Sequence, residues 1–132
     1  MVRMMDFEDY TQTLEAVAWY ERRFAMPLCA DDRRHLFARW VEKNPDAMRE
    51  MEGWATYLQM MGRRISARYL IEKERHEGTC KLTPEPFTDT DGKEHEYAIN
   101  NSDGSLLARW LLARHPTMNI ETRRSLFDGE KA

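Results

Sequence analysis

The sequence predicts a mainly α fold: a helix–turn–helix-like helical domain with a small, wing-like β-hairpin and a C-terminal helix. Three observations carry this. Apolar residues recur with the 3.6-residue helical period through most of the first 78 positions. Gly62 and Gly78 each follow such a run, at the place where glycine closes a helix. Between Gly78 and Asn101 the period gives way to a proline-rich joint and an Asp-Gly turn signal.

Taken in order, Leu14, Val17, Ala18 and Phe24 lie near one stripe and predict a helix over 11–25. Met26-Pro27 ends it, because the residue before proline avoids helical angles. Asp31 or Asp32 suits the cap of a second helix running to about Lys43, with Leu36, Phe37, Trp40 and Val41 inward. Asn44-Pro45 reads as an N-cap followed by proline at the first helical position. The third helix carries Met48, Met51, Trp54, Ala55, Leu58 and Met61 on its apolar face, and Gly62 stops it. Ser66 can cap a fourth helix over 66–77, with Ile65 and Leu70 spaced as a hydrophobic staple and Ala67, Leu70 and Ile71 inward. Beyond Gly78, Cys80-Lys81-Leu82 reads as a short strand and Thr83 to Pro86 as a joint. Phe87 to Asn100 reads as a hairpin about Asp91-Gly92, with Tyr97 to Ile99 its better strand. Asn101, Ser102 or Asp103 can cap a last helix over 103–115, with Leu106, Leu107, Trp110 and Leu111 inward, and His115-Pro116 closes it. The tail offers Ile120, Leu126 and Phe127 for packing. The whole reads as a single domain over 1–132, with an N-terminal helix in 1–30, a helical core in 31–78, a β element in 79–100 and a C-terminal helix and tail in 101–132.

At 132 residues, 42% apolar and 33% charged, the chain suits a soluble globular domain with enough apolar volume for one core. No apolar run reaches the roughly 20 residues a membrane helix needs, so no membrane partner is expected. The start is acidic and lacks a signal-peptide apolar region. Two distant cysteines, Cys29 and Cys80, fit a reduced, cytoplasmic setting, each as a small buried apolar residue. The net charge of −3 argues against a protein that coats nucleic acid, but the charge is zoned. Residues 63–82 carry a net +3, residues 83–105 a net −5, and residues 106–132 a net +2.

Each zone offers a candidate surface. The first is basic: Arg63 and Arg64 in the predicted turn, and Arg68, Tyr69 and Lys73 on the outer faces of the helix that follows. Arginine engages phosphate oxygens and guanine edges, and tyrosine stacks on exposed bases. Against this, Glu72, Glu74 and Glu77 partly neutralise the same helix at helical spacing. The second is the acidic hairpin, where Asp89, Asp91, Glu94 and Glu96 could meet a basic partner and would repel phosphates. Asn100-Asn101 fits capping better than base recognition. Arg109, Arg114, Arg123 and Arg124 form a further basic zone, in which pairing within the fold weighs as much as phosphate contact.

Catalytic signals are thin. His95, Asn101 and His115 fall in the order of a metal-dependent ββα nuclease, but the interval from Asn101 to His115 is too long and no acidic ligand accompanies them. Neither the four histidines nor the cysteines have metal-ligand spacing, and no glycine-rich phosphate loop is present, so no catalytic residue, metal or cofactor is expected.

Three segments in order, GRRISARYLIEKERHE from Gly62, YAINNSDGSLLARWLLARHP from Tyr97 and ETRRSL from Glu121, resemble a group of small phage and prophage proteins. The shared features are the Gly-Arg turn before Ser-Ala-Arg, the strand ending in Asn-Asn, Ala-Arg within a helix, His-Pro, and a closing Thr-Arg. The resemblance spans about 33–125, with two departures: His76 stands at an aromatic position of the group, and the acidic insert 83–94 is longer. It implies a phage or mobile-element origin and no particular chemistry. The expected function is therefore a non-enzymatic nucleic-acid-binding protein of that type, acting through Arg63, Arg64, Arg68, Tyr69 and Lys73. The competing expectation is an inhibitor or adaptor, such as an anti-defence protein, that binds a host or phage protein.

Overall fold

The computed structural model describes residues 22–120. Four helices and a small three-stranded sheet follow in the order β1 (Arg23–Phe24), α1 (Ala30–Lys43), α2 (Pro45–Met60), α3 (Ala67–Glu77), β2 (Glu85–Asp89), β3 (Glu94–Tyr97) and α4 (Gly104–Arg114). A 3-10 turn over Asn101–Asp103 leads into α4. The architecture is mainly α with a small β part.

Helical periodicity builds the core. Trp40 of α1, Met51 and Ala55 of α2, Leu70 and Ile71 of α3, and Leu107 and Leu111 of α4 are completely buried. Each large apolar side chain so placed contributes about 1.5–3 kcal/mol relative to exposure. The α2–α3 turn forms as its residues dictate. Gly62 adopts φ +69°, the left-handed region that a side chain resists. Ser66 Oγ accepts the Tyr69 amide at 3.2 Å, and the staple residues Ile65 and Leu70 are both buried.

Several boundaries differ from expectation, some because a tertiary contact outweighs a local preference and some because a neighbouring residue makes the local bond instead. The predicted helix over 11–25 gives way by residue 23 to an extended segment. Phe24 pairs in parallel with Asp89 of β2, and its ring meets Phe87 edge-on at 5.4 Å. The rest of that predicted helix lies outside the described residues, as do Leu126 and Phe127. Cys29, rather than Asp31 or Asp32, caps α1; its sulfur accepts the Asp32 amide. The two aspartates lie in the first turn, where negative charge suits the helix dipole. Asn44 precedes α2 as expected but does not cap it with its side chain. Its amide instead donates to the Trp40 and Thr83 carbonyls and accepts from the Thr83 amide, tying the helix junction to the joint before β2. Met61 is exposed rather than inward, and Cys80-Lys81-Leu82 forms no strand.

The hairpin turns at Asp91-Gly92 as expected and pairs Glu85 with Tyr97 and Phe87 with His95. It packs against α1. Glu85, 2% exposed, receives Arg39 at 3.1 Å and Lys43 at 2.7 Å from that helix. Asp103, one of the three expected caps, stands at the N-cap position of α4 without capping it by its side chain, and the 3-10 turn before it is capped by Asn100 in a reciprocal capping box with Asp103. Asp103 is fully buried and satisfied, accepting from Arg33, Tyr97 and the Asn100 amide at 2.8–3.0 Å.

Candidate functional site

The two helices α2 and α3 run back along each other. Lys73 lies 4.9 Å over the Trp54 ring, and beyond it Thr79 donates to Glu50. One turn from Trp54 toward the connecting turn is Tyr57, and one turn from Lys73 in the same direction is Tyr69. Both tyrosines therefore stand one turn nearer than Trp54 and Lys73 to the connecting turn that carries Arg63 and Arg64. Tyr57 is 62% exposed and Tyr69 is 49% exposed, and Met60 and Met61 also face solvent at the end of α2.

This end of the molecule is held in place. Gln59 donates to the Thr117 carbonyl and accepts the Asn119 amide, while the Ile65 amide donates to the Asn119 carbonyl at 2.9 Å. Ile65 and Ile120 form a parallel bridge, and both are buried. The segment after α4 thus pins both sides of the turn, and Arg63, Arg64, Arg68 and Tyr69 project from a fixed backbone into solvent.

The five basic-surface residues are not equivalent. Arg68 pairs with Glu72 at 3.3 Å in an exposed contact of the kind that yields readily to another anion. Lys73 is committed to Glu77 at 2.7 Å as well as to Trp54; the ion pair raises its pKa and lowers that of Glu77. Glu74 does not dilute the positive surface of this helix, because it faces inward and is 2% exposed. Burial, and next the neighbouring Glu50, push its pKa up to about 8. Within 57–73 four basic residues stand against Glu72 alone.

The acidic hairpin divides in a similar way. Asp91, Glu94 and Glu96 are exposed, but Asp89 is buried. Its carboxylate accepts the Asp91 and Lys93 amides at 2.9 Å each and meets His95 at 2.7 Å, and these bonds, that to His95 foremost, lower its pKa. It shapes the turn. A shallow concavity of about 500 Å³ lies over Pro86, Phe87, Glu94 and His95, whose imidazole stacks on the Phe87 ring.

The nuclease-like trio is distributed among three different acids. His95 meets Asp89, Asn101 donates to Glu72 at 3.1 Å, and His115 meets Glu52 at 2.8 Å. Arg114 also reaches Glu52 and lies over Trp110. Arg109 is half-buried on α4, and Arg123 and Arg124 lie outside the described residues. Cys29 is exposed and Cys80 is half-buried, so neither is the fully buried thiol the sequence suggests.

Two groupings carry no clear signal in the sequence. The exposed Tyr57, Met60 and Met61 join the basic turn, and only their position on the outer face of α2 distinguishes them from core residues. Glu50, Glu74 and Cys80 come together at the other end of the helix pair, each from a different segment. No family model matches the chain, and no curated protein or solved structure shows significant similarity to it.

Proposed function

We propose that the protein is a non-enzymatic nucleic-acid-binding protein of phage or mobile-element type, with α2, the connecting turn and α3 as its helix–turn–helix-like contact unit. The observation that carries this is the exposed Tyr69 beside Arg63, Arg64 and Arg68 on a pinned turn. Arginines neutralise phosphates, and exposed tyrosine rings give unpaired bases a surface to stack on. Lys73 serves mainly as a fixed positive charge that orients this face, since Glu77 and Trp54 already engage it.

The same features favour a single strand over a duplex. A wing that grips duplex phosphates needs cations, whereas the tip of this hairpin exposes Asp91, Glu94 and Glu96. Tyr57 and Tyr69 add stacking rings, which a groove-reading helix does not require.

A second reading has its own observation. Met60, 85% exposed, lies next to Tyr57, Met61 and the arginines, and tyrosine, methionine and arginine are enriched in protein–protein interfaces. An inhibitor or adaptor of the anti-defence kind would use this surface, or Asp91, Glu94 and Glu96, against a protein. Fluorescence anisotropy with labelled single strands and duplexes at low and moderate salt separates the two. The nucleic-acid reading predicts single-strand binding that weakens with salt and with Arg68→Ala. Absence of binding at low salt sinks it and leaves the protein-binding reading.

A further inference from the structure

At the end of the α2–α3 pair opposite the turn, Glu50 from α2, Glu74 from α3 and Cys80 from the loop after Gly78 converge. One ligand atom from each lies within 4.8 Å of the other two. Glu74 is 2% exposed, no N–H or hydroxyl group donates to either of its carboxylate oxygens, and its one polar neighbour there is the Glu50 carboxyl, with which it can share a proton. The contrast with Asp103, equally buried and fully bonded, is sharp. A carboxylate so buried is strongly disfavoured unless a proton or a counter-charge relieves it, and a cation between the three groups would take the proton's place.

The surroundings are built to hold the cluster. Thr79 donates its amide to Glu50 at 2.9 Å and its hydroxyl to the other oxygen, fixing that carboxylate as outer-shell donors fix metal ligands. A Cβ at position 78 would come within 2.3 Å of the Glu74 carbonyl oxygen and within 2.9 Å of its carboxyl carbon. Glycine there lets the chain turn tightly over Glu74 and bring Thr79 and Cys80 back to α2.

We propose that Glu50, Glu74 and Cys80 form a binding site for one zinc-type divalent ion, with a fourth position open to water or an exogenous ligand. The donor set decides the class of ion. A thiolate favours borderline ions over magnesium or calcium, which take oxygen ligands, and two carboxylates with one sulfur suit a four-coordinate centre. Metal–ligand bonds of about 2.0–2.3 Å require the three ligand atoms to draw in by on the order of 1 Å, which rotation of the Glu side chains permits. This site shares no residue with the basic turn, so its test is independent of nucleic-acid binding.

The test uses the whole chain, reduced and stripped of metal, titrated with Co²⁺ and then Zn²⁺. One equivalent of Co²⁺ should bind with a sulfur-to-cobalt charge-transfer band, and Zn²⁺ should displace it. Cys80→Ser should abolish the band, and Glu74→Gln, which preserves shape and removes charge, should weaken binding by at least about tenfold. Zn²⁺ should raise the melting temperature of the wild type more than that of either variant. Circular dichroism of each variant confirms that it folds. If no band forms, or binding survives both substitutions through exposed histidines such as His76, the proposal is overturned. Equal competition by Mg²⁺ or Ca²⁺ would overturn the sulfur ligand.

Discussion

The two ends of the α2–α3 pair handle charge in opposite ways. At the turn, Arg63, Arg64 and Arg68 stand in water beside exposed Tyr57 and Tyr69. At the other end, Glu74 carries its carboxyl group into the interior with Glu50 and Cys80 around it. Exposed charge costs little, and a surface ion pair such as Arg68–Glu72 is exchanged readily for another anion. Buried charge without a partner is costly, and it persists where a proton or a cation relieves it. On the proposed reading one helix pair would offer a surface for anions at one end and an interior site for a cation at the other, and the two can be perturbed separately.

The largest expected effect is at the turn. Replacing Arg63, Arg64 and Arg68 together with alanine should weaken single-strand binding roughly a hundredfold at low salt. It should also flatten the salt dependence, by about 0.7 of a logarithmic unit of slope for each phosphate no longer neutralised. Metal binding by the same variant should not change. Comparable loss at both ends would mean that the triple variant damages the fold and that the ends are not independent.

The next effect is at the buried end. In chelator the folded state holds a proton on Glu74 up to about pH 8, whereas the unfolded chain releases it near the ordinary carboxyl value of 4.5. Its contribution to stability is therefore fully present below about pH 4.5 and lost as pH rises to about 8. Glu74→Gln should flatten this window and, at pH 8, stabilise the metal-free protein by roughly 2 kcal/mol, measured by urea unfolding. A stability profile equally steep in the variant would remove Glu74 as its cause.

Much of this arrangement is legible in the residues and some is not. The stop at Gly62, the Ser66 cap and the Ile65–Leu70 staple are local, and so is the Asp91-Gly92 turn; each forms as its sequence signals predict. The extended segment at Phe24, by contrast, depends on β2, about sixty residues later in the chain. The convergence of Glu50, Glu74 and Cys80 depends on how two helices and a loop pack, and no spacing announces it. Leu70 and Ile71 mark the inward side of α3, yet Glu74 reads as a surface residue because acidic residues seldom lie buried.

Two smaller effects are expected at single side chains of the same helix pair. Tyr69→Ala should cost about tenfold in single-strand affinity while leaving the salt slope unchanged, since stacking releases no counterions. An unchanged affinity would assign the aromatic residues to a protein partner instead. Glu52 is the paired counterpart of Glu74 on the same α2–α3 unit: the Arg114 bond first, with His115 assisting, lowers its pKa. Its contribution is present above about pH 4.5 and is lost on acidification, the opposite window from that of Glu74. Glu52→Gln should cost about 1 kcal/mol at neutral pH and less at low pH. A loss independent of pH would show that the pairing is not its source.

The most direct test of the central claim, that the turn end is the contact surface for nucleic acid, is an amide nuclear magnetic resonance titration of the isotope-labelled protein with a short single-stranded oligonucleotide at low salt. Shifts should concentrate in residues 57–73, with the hairpin strands and the Glu50–Cys80 end undisturbed. An unchanged spectrum, or shifts centred on the hairpin, would contradict that claim.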